Sequence, residues 1–402
     1  MLFQDAQRTL GQFLFPLSVD DFLDEALTGG FRKIDHDDRA RRADLLGAEP
    51  EAMLASAFHL AADLTFHSAN ATGPAPSLKG VADADDFRAR IDEFHARNYS
   101  LRFPDLRTLS PAVDEVSRAL EILLHQPVKA SAFWSRSGMR APVHHDDTDL
   151  IIVQMKGRKR WFVSAGPSQL PNGWKGVSGD APELGDYEIV DLAPGDLLYL
   201  PRGTPHTVES ETESLHLNLG FTPLTVREAV IAALDQLSDQ DRALRLTVGQ
   251  RLGFQLKGPQ VEQLAPPVAD AVERLLAAVR SPGFMARALH VRSAREVPRL
   301  DALPRPDAAP AIDLDTVLTQ RATAFCHLVA TPEKLEFCFP GGNLYIHRGA
   351  QESVVYMVNT PRFRVRDIAG GVDDDVRLSL ATRFLEIGYL EMETPDSNSA
   401  PH

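Results

Sequence analysis

At Val128 the hydrophobic pattern of this 402-residue chain changes period. Just upstream, in PAVDEVSRALEILLH (residues 111–125), Val113, Val116, Leu120, Leu123 and Leu124 share one side, which predicts an amphipathic helix. Downstream come VKASAF, DLIIVQM, RWFVSA, YEIVDL, DLLYLP and LHLNLGF, each short and bounded by Gly, Pro or Asp. Several strands at such close spacing can bury their apolar faces only in a sandwich or a barrel. KGR at 156–158 is expected to be a tight hairpin, and PGD at 194–196 a turn feeding the strand LLYLP.

The flanks read as helical. Ser18 precedes VDDFLDEAL with Asp21 in the acidic first turn, the signature of a capped helix start. SANATGPAPSLK at 68–79 has loop composition. After Pro223, Thr225 and Glu228 form a capping box ahead of EAVIAALDQL. Further on, Val268, Ala271, Val272, Leu275, Leu276 and Val279 make an apolar stripe, suited to packing on the chain itself or on a second copy. VPRLDALPRPDAAP at 297–310 reads as a proline-rich linker. Beyond it are expected a helix around 313–329, a hairpin of LEFCF and LYIHR about Gly341-Gly342, a strand VVYMV, and a helix around 376–390. Helix, hairpin and helix resemble a winged-helix module. The tail ETPDSNSAPH is expected to be disordered.

The densest chemistry is HHDDTDLIIVQMKGRKRW, residues 144–161. If it opens a strand, alternation puts His144 and Asp146 on one face and His145 on the other. An H-x-D pair alone is weak evidence. His206, ending PRGTPH behind the strand DLLYL, supplies a third donor, and Pro201, Gly203 and Pro205 stiffen the loop that aims it. Two histidines and a carboxylate on one face are the facial triad of non-haem Fe(II) oxygenases, with three positions left open. The triad lacks a thiolate, which argues against structural zinc. Counting by twos puts Leu150, Ile152 and Gln154 on the same inner face, and Lys159 and Trp161 return to it after the turn. A buried lysine there would be costly unless an anionic co-substrate neutralised it. The plainer reading of Lys159 is a solvated turn lysine among Lys156, Arg158 and Arg160.

HHDDTDLIIVQMKGRKRW, with PGDLLYLPRGTPH and SLHLNLGF behind it, resembles the JmjC-type 2-oxoglutarate oxygenases of the cupin superfamily, most closely the ribosomal oxygenase branch. The resemblance covers roughly residues 128–222. It implies a mixed α+β chain built on a double-stranded β-helix (a jelly-roll barrel), followed by a helical dimerisation region and a C-terminal winged-helix-like domain. The corresponding boundaries are 1–127 for the segment leading into the barrel and 128–223 for the JmjC core. Residues 224–296 are then the helical region, 297–310 the linker, 311–394 the winged-helix-like domain and 395–402 the tail. The resemblance also implies Fe(II) on His144, Asp146 and His206, with 2-oxoglutarate and O2 as co-substrates. The far carboxylate of 2-oxoglutarate would meet Lys159, and Ser135 and Asn218 occupy places where such enzymes put polar co-substrate contacts. His216 could contact substrate but reads better as structural. SRSGMRAPV before His144, and His145 itself, depart from the usual pattern near the mouth.

The activity so implied is hydroxylation of an amino-acid side chain of a polypeptide, a ribosomal protein being one candidate. A 2-oxoglutarate oxygenase tailoring a small molecule or biosynthetic peptide stays open, as does a non-catalytic cupin used for binding or regulation. Formal net charge is -14, which disfavours nucleic acid and favours a basic polypeptide. Two cysteines, Cys326 and Cys338, suit a reducing cytoplasm. The lack of any apolar run near ~18 residues disfavours a membrane span, and no signal peptide is read at the N-terminus.

Overall fold

The structure is a computed structural model that describes residues 3–28, 30–35, 42–177, 179, 182–246, 265–306 and 311–393. Two compact units emerge, Met1–Pro223 with Arg321–Thr323, and Leu224–Gln320 with Ala324–His402.

The first unit opens with helices α1 (Phe3–Leu14) and α2 (Val19–Thr28), strand β1 (Arg32–Ile34), helix α3 (Pro50–Ser56) and strand β2 (Thr65–His67). Helix α4 (Ala84–Ala96), strand β3 (Ser100–Phe103) and helices α5 (Leu106–Leu109) and α6 (Pro111–Leu124) follow. The expected cap of α2 is present, the Asp21 N–H donating to Ser18 Oγ at 3.0 Å. Helix α6 starts at Pro111 with the Val113 N–H on Ser110 Oγ, and buries Val113, Val116 and Leu120 as its spacing requires.

From there the chain becomes β: β4 (Lys129–Ser135), β5 (Asp149–Lys156), β6 (Lys159–Ser164), β7 (Tyr187–Leu192), β8 (Leu197–Leu200), β9 (His206–Ser210) and β10 (Ser214–Phe221). They form a seven-stranded sheet of order β1-β8-β5-β10-β4-β3-β2 and a three-stranded sheet of order β7-β6-β9. Every pairing is antiparallel, and Leu150, Ile152, Trp161, Leu192 and Val208 pack in one buried cluster drawn from both sheets. This is the jelly-roll core expected of a cupin.

The KGR turn is not a hairpin. β5 lies in the large sheet and β6 in the small one, so residues 156–158 carry the chain from one to the other. Gly157 makes the corner at φ +67°, where a Cβ would lie 2.0 Å from the Glu213 carbonyl oxygen. Apolar alternation in DLIIVQM and RWFVSA gives two strands but does not say whether they pair with each other.

In the second unit α7 (Val226–Gln240) begins at the Thr225 cap, with the Glu228 N–H on Thr225 Oγ1. Helices α8 (Ala265–Val279) and α9 (Phe284–Glu296) follow, and Ala233, Leu237 and Phe284 are buried together. In the proline-rich stretch Leu300 and Leu303 are buried, Leu303 within the C-terminal core; residues 307–310 and the tail from 394 lie outside the described residues.

Beyond the proline-rich stretch two expectations fail. The segment expected as a helix at 313–329 holds strands β11 (Val317–Gln320) and β12 (His327–Ala330). VVYMV is not a strand but the middle of helix α10 (Gln351–Asn359), which buries Ser353, Val354 and Met357 on one side. Their helical spacing overrides the β-propensity of Val and Tyr. The hairpin is present as β13 (Lys334–Phe339) and β14 (Gly342–His347), followed by β15 (Arg362–Arg364), α11 (Asp374–Glu386) and β16 (Leu390–Met392). The strands form two three-stranded sheets, β15-β11-β16 and β12-β13-β14. β11 is a strand because β15 and β16, some forty and seventy positions later, supply its hydrogen bonds.

Glu121 ties helix α6 to the first barrel strand. Its carboxylate takes Arg107 at 2.7 Å, Arg118 at 2.8 Å and the Val128 N–H at 3.2 Å, all but closed to water. Removing it takes a shared anion from two buried guanidinium groups, of which Arg107 keeps Asp114 at 2.8 Å. Glu121→Ala is expected to destabilise the protein by roughly 3–5 kcal/mol, read from urea unfolding; a loss below 1 kcal/mol would show that the cluster is not structural.

Candidate metal centre

The site lies where the two sheets face each other. His144 precedes β5 rather than opening it, and forms an isolated antiparallel bridge with His206, the first residue of β9. The His144 N–H donates to the His206 carbonyl at 3.0 Å, and the His206 N–H returns to the His144 carbonyl at 2.8 Å. A directly opposed pair projects both side chains to the same face, and the ring centroids stand 4.3 Å apart. Two residues on, the Gly203 N–H donates to the Asp146 carbonyl at 2.8 Å, fastening the two ligand loops a third time. Gly203 is required there: φ is +73° and a Cβ would fall 2.0 Å from the Gln169 carbonyl oxygen.

The loop carrying His206 is anchored from below. Asp149, fully buried, accepts from the Arg202 N–H at 3.1 Å, from Arg202 Nη1 at 3.0 Å and from the Tyr199 hydroxyl at 2.5 Å. Burial pushes its carboxyl above the usual aspartate range, against the pull of these donors.

The donor atoms of His144, Asp146 and His206 lie within 4.8 Å of one another, and His206 Nε2 is 3.5 Å from Asp146 Oδ2. His144 Nδ1 sits 2.9 Å from the Pro142 carbonyl oxygen, and His206 Nδ1 is 2.9 Å from that of Thr204. A carbonyl only accepts, so both rings carry their proton on Nδ1 and leave Nε2 as a free lone pair. Burial, with His144 alongside, lowers His206 to about 4, so it is neutral at ordinary pH and able to ligate. His145 turns the other way, onto Gln169 at 3.0 Å, as alternation predicts. This set fits a divalent first-row metal held on one face with the opposite face open.

The donors edge a cavity of about 570 Å³. Its walls follow the two-residue period: Lys129, Ser131 and Phe133 from β4, and His216, Asn218 and Gly220 from β10. Asn218 faces the cavity, and its Oδ1 is buried without a partner among the described residues, as is Nε1 of Trp161 on the same cavity. An acceptor and a donor left bare in one cavity are a place for a polar ligand.

Lys159 is 1% exposed, so the solvated-turn reading fails. Its Nζ meets Ser135 Oγ at 3.2 Å and His216 Nδ1 at 2.7 Å, two neutral partners. Burial alone pulls its pKa down to about 7. Ser135 lies on the cavity-facing parity of β4 and also bonds Ser100 Oγ at 2.8 Å.

Two cavity residues carry no signal in the sequence pattern. Arg102, bonded to Ser131 Oγ at 2.8 Å, and His67 come from strands of four and three residues, too short for a period to be read. His216, expected to be structural, lines the cavity, and its parity with Asn218 is the sequence signal that points there.

Residues 109–229 match the family described as JmjC domain. The chain is 33% identical over 201 residues to a Drosophila persimilis protein named bifunctional lysine-specific demethylase and histidyl-hydroxylase NO66, covering 45% of this chain and 28% of that one. It is 27% identical over 199 residues to ribosomal oxygenase 2 of Rattus norvegicus, covering 47% and 40%. This chain thus spans well under half the length of these relatives. In structure it is similar to ycfD of Escherichia coli, with a TM-score of 0.54 at 16% identity over 94% of this chain and 98% of that one. That protein, described as a ribosomal oxygenase, has also been solved with cobalt and 2-oxoglutarate (TM-score 0.50). At such identity the likeness shows the fold. Among the described residues no helix is long and apolar enough to cross a membrane.

Alanine at His206 or Asp146 is expected to abolish tight one-to-one binding of Mn(II), measured by electron paramagnetic resonance, with the fold intact by circular dichroism. Full-strength binding by both variants would place the metal elsewhere.

Proposed function

From the match of residues 109–229 to the JmjC domain, we propose an Fe(II)- and 2-oxoglutarate-dependent oxygenase that hydroxylates an amino-acid side chain of a polypeptide, a ribosomal protein being the first candidate. One observation carries this reading: a buried lysine with only neutral partners sits in the same barrel as a facial His144, Asp146 and His206 set. A metal protein without an anionic ligand has no use for that lysine.

His144, Asp146 and His206 hold the metal. Lys159 and Ser135 serve the far carboxylate of 2-oxoglutarate, and Asn218 offers a further polar contact. An anion beside Lys159 restores the charge that burial opposes. Leu150, Trp161 and Val208 keep water from the wall. When bound, the iron and 2-oxoglutarate supply oxidising power: dioxygen is split between the decarboxylated keto acid, released as succinate and carbon dioxide, and a hydroxyl on the substrate. The protein orients the target carbon. The polypeptide substrate is supported by the names of the relatives and by a net charge of -14, which draws basic chains.

With Fe(II), 2-oxoglutarate and oxygen, succinate release is expected to rise with a basic ribosomal protein present, and that protein is expected to gain the mass of one oxygen. A lost methyl group would make the enzyme a demethylase. A mass gain confined to small molecules would make it a tailoring oxygenase, and failure to bind metal and 2-oxoglutarate together would leave a binding protein.

The second unit supports a homodimer. Val268, Val272 and Leu276 on α8, and Val226, Val230 and Leu234 on α7, are exposed along their helices at four-residue spacing. Apolar stripes of this length usually meet a partner. Sedimentation is expected to give a dimer that Val272→Asp with Leu276→Asp converts to monomer; a monomeric parent protein ends this part of the proposal.

A further inference from the structure

We propose that the part of the substrate polypeptide that enters the barrel carries a carboxylate, recognised by Arg102 with Lys129 on the same cavity face. This rests on the oxygenase reading above and concerns the substrate, not the co-substrate.

The cavity reverses the charge balance of the chain. Formal net charge is -14, yet Asp146 is the only acid among the described residues lining the cavity, and it belongs to the metal set. Arg102, half-buried, and Lys129, exposed, are cations of the same lining. Elsewhere in this unit the guanidinium groups of Arg107, Arg118 and Arg202, taken out of water, each meet a carboxylate. Arg102 meets none among the described residues; its side chain makes one hydrogen bond, to Ser131 Oγ at 2.8 Å. The rest of its planar fork is the shape that takes a carboxylate through two parallel N–H bonds. A concave wall with two cations and no spare acid focuses the field on an anion.

Arg102 is remote from the Lys159 end. It lies opposite Phe133 of β4, which lies opposite His216 of β10. Two strand spacings, about 10 Å of backbone, therefore separate Arg102 from His216, and Phe133, stacked on His216, stands between them. From Phe133 the cavity face of β4 runs to Ser135 one way and to Ser131 the other. Ser135 bonds Lys159, and Ser131 bonds Arg102. The guanidinium thus leans away from the lysine, toward the Asn218 and Gly220 positions that lead to Leu150 and the metal loop. Asn218 is directly opposite Ser131, and its bare Oδ1 suits the N–H of a bound peptide. A carboxylate on Arg102 and a peptide N–H on Asn218 hold a residue at two points and so select the carbon that faces the metal. The net charge draws a basic chain; the cavity selects a carboxylate within it. One oxygen atom enters a C–H bond of that residue, and the carboxylate itself is unchanged.

Short peptide pools test this. Each is acetylated and amidated, with lysine at both ends, one fixed central residue and mixed residues between. With Fe(II), 2-oxoglutarate and oxygen, pools centred on aspartate or glutamate are expected to gain oxygen, by mass, at least fivefold faster than pools centred on asparagine, glutamine, histidine or arginine. A pool without acidic residues but with a free C-terminal carboxylate distinguishes the sources: faster oxidation of that pool assigns the carboxylate to a chain end, slower oxidation to a side chain. Arg102→Gln is expected to bring the preference below twofold, and Arg102→Lys to keep part of it. Lys129→Gln, at an exposed position, is expected to lower it about twofold and stands in if Arg102→Gln does not fold. Anaerobic calorimetry with 2-oxoglutarate on the Mn(II)-loaded variants checks both fold and site. Preference for another central residue, no pool oxidised, or a preference that survives Arg102→Gln overturns the proposal and leaves the oxygenase reading intact. So does a tenfold loss of 2-oxoglutarate affinity in folded Arg102→Gln, which would put Arg102 on the co-substrate. A parent protein that never binds 2-oxoglutarate overturns both.

Discussion

The site depends on a reciprocal pair of backbone hydrogen bonds between His144 and His206. These residues are sixty-two positions apart and belong to different passes of the chain, yet the bridge fixes their side chains on one face without help from either ring. The Gly203–Asp146 bond extends the same zipper to the carboxylate. The ligand geometry is therefore set by main chain. Side-chain contacts to the Pro142 and Thr204 carbonyls then choose the tautomer. This is pre-organisation at two levels: strand pairing places the donors and local carbonyls orient their lone pairs.

Against that rigid metal end, the other end of the cavity is electrostatically unfinished. Lys159, His216 and Ser135 form a buried cluster with a cation and no anion among the contacts of Lys159. Structural lysines in cores are ordinarily paired with carboxylates, as Arg107 and Arg118 are paired with Glu121 a few strands away. The contrast within one molecule is informative. Where charge serves the fold, it is matched; behind the cavity wall, Lys159 meets only the neutral Ser135 and His216.

The barrel and the centre were legible because their signals are local. Period-two runs gave β4 to β8 and β10 but not β9, the short strand that His206 opens, and His144 and Asp146 share a face by parity wherever the strand begins. A third donor, the histidine behind a Gly-Pro loop, turned that pair into a metal-binding set. What stayed illegible was pairing. KGR looks like a hairpin because hairpin turns and inter-sheet turns use the same residues, and only Gly157 against Glu213 reveals the crossing. In the second unit, VVYMV reads as a strand by composition, and its helical face appears only when Val354 and Met357 are seen buried together. Arg102 and His67 lie on strands shorter than any period.

By itself the sequence determined which residues can lie on a common face and which carry metal-binding chemistry, because backbone alternation is fixed by covalent geometry. Only the tertiary structure decided that Lys159 is sealed from water with neutral neighbours, that β5 and β6 part company, and that His216 both lines the cavity and meets the lysine. Burial and strand pairing are set by residues distant in the chain, and no local pattern records them.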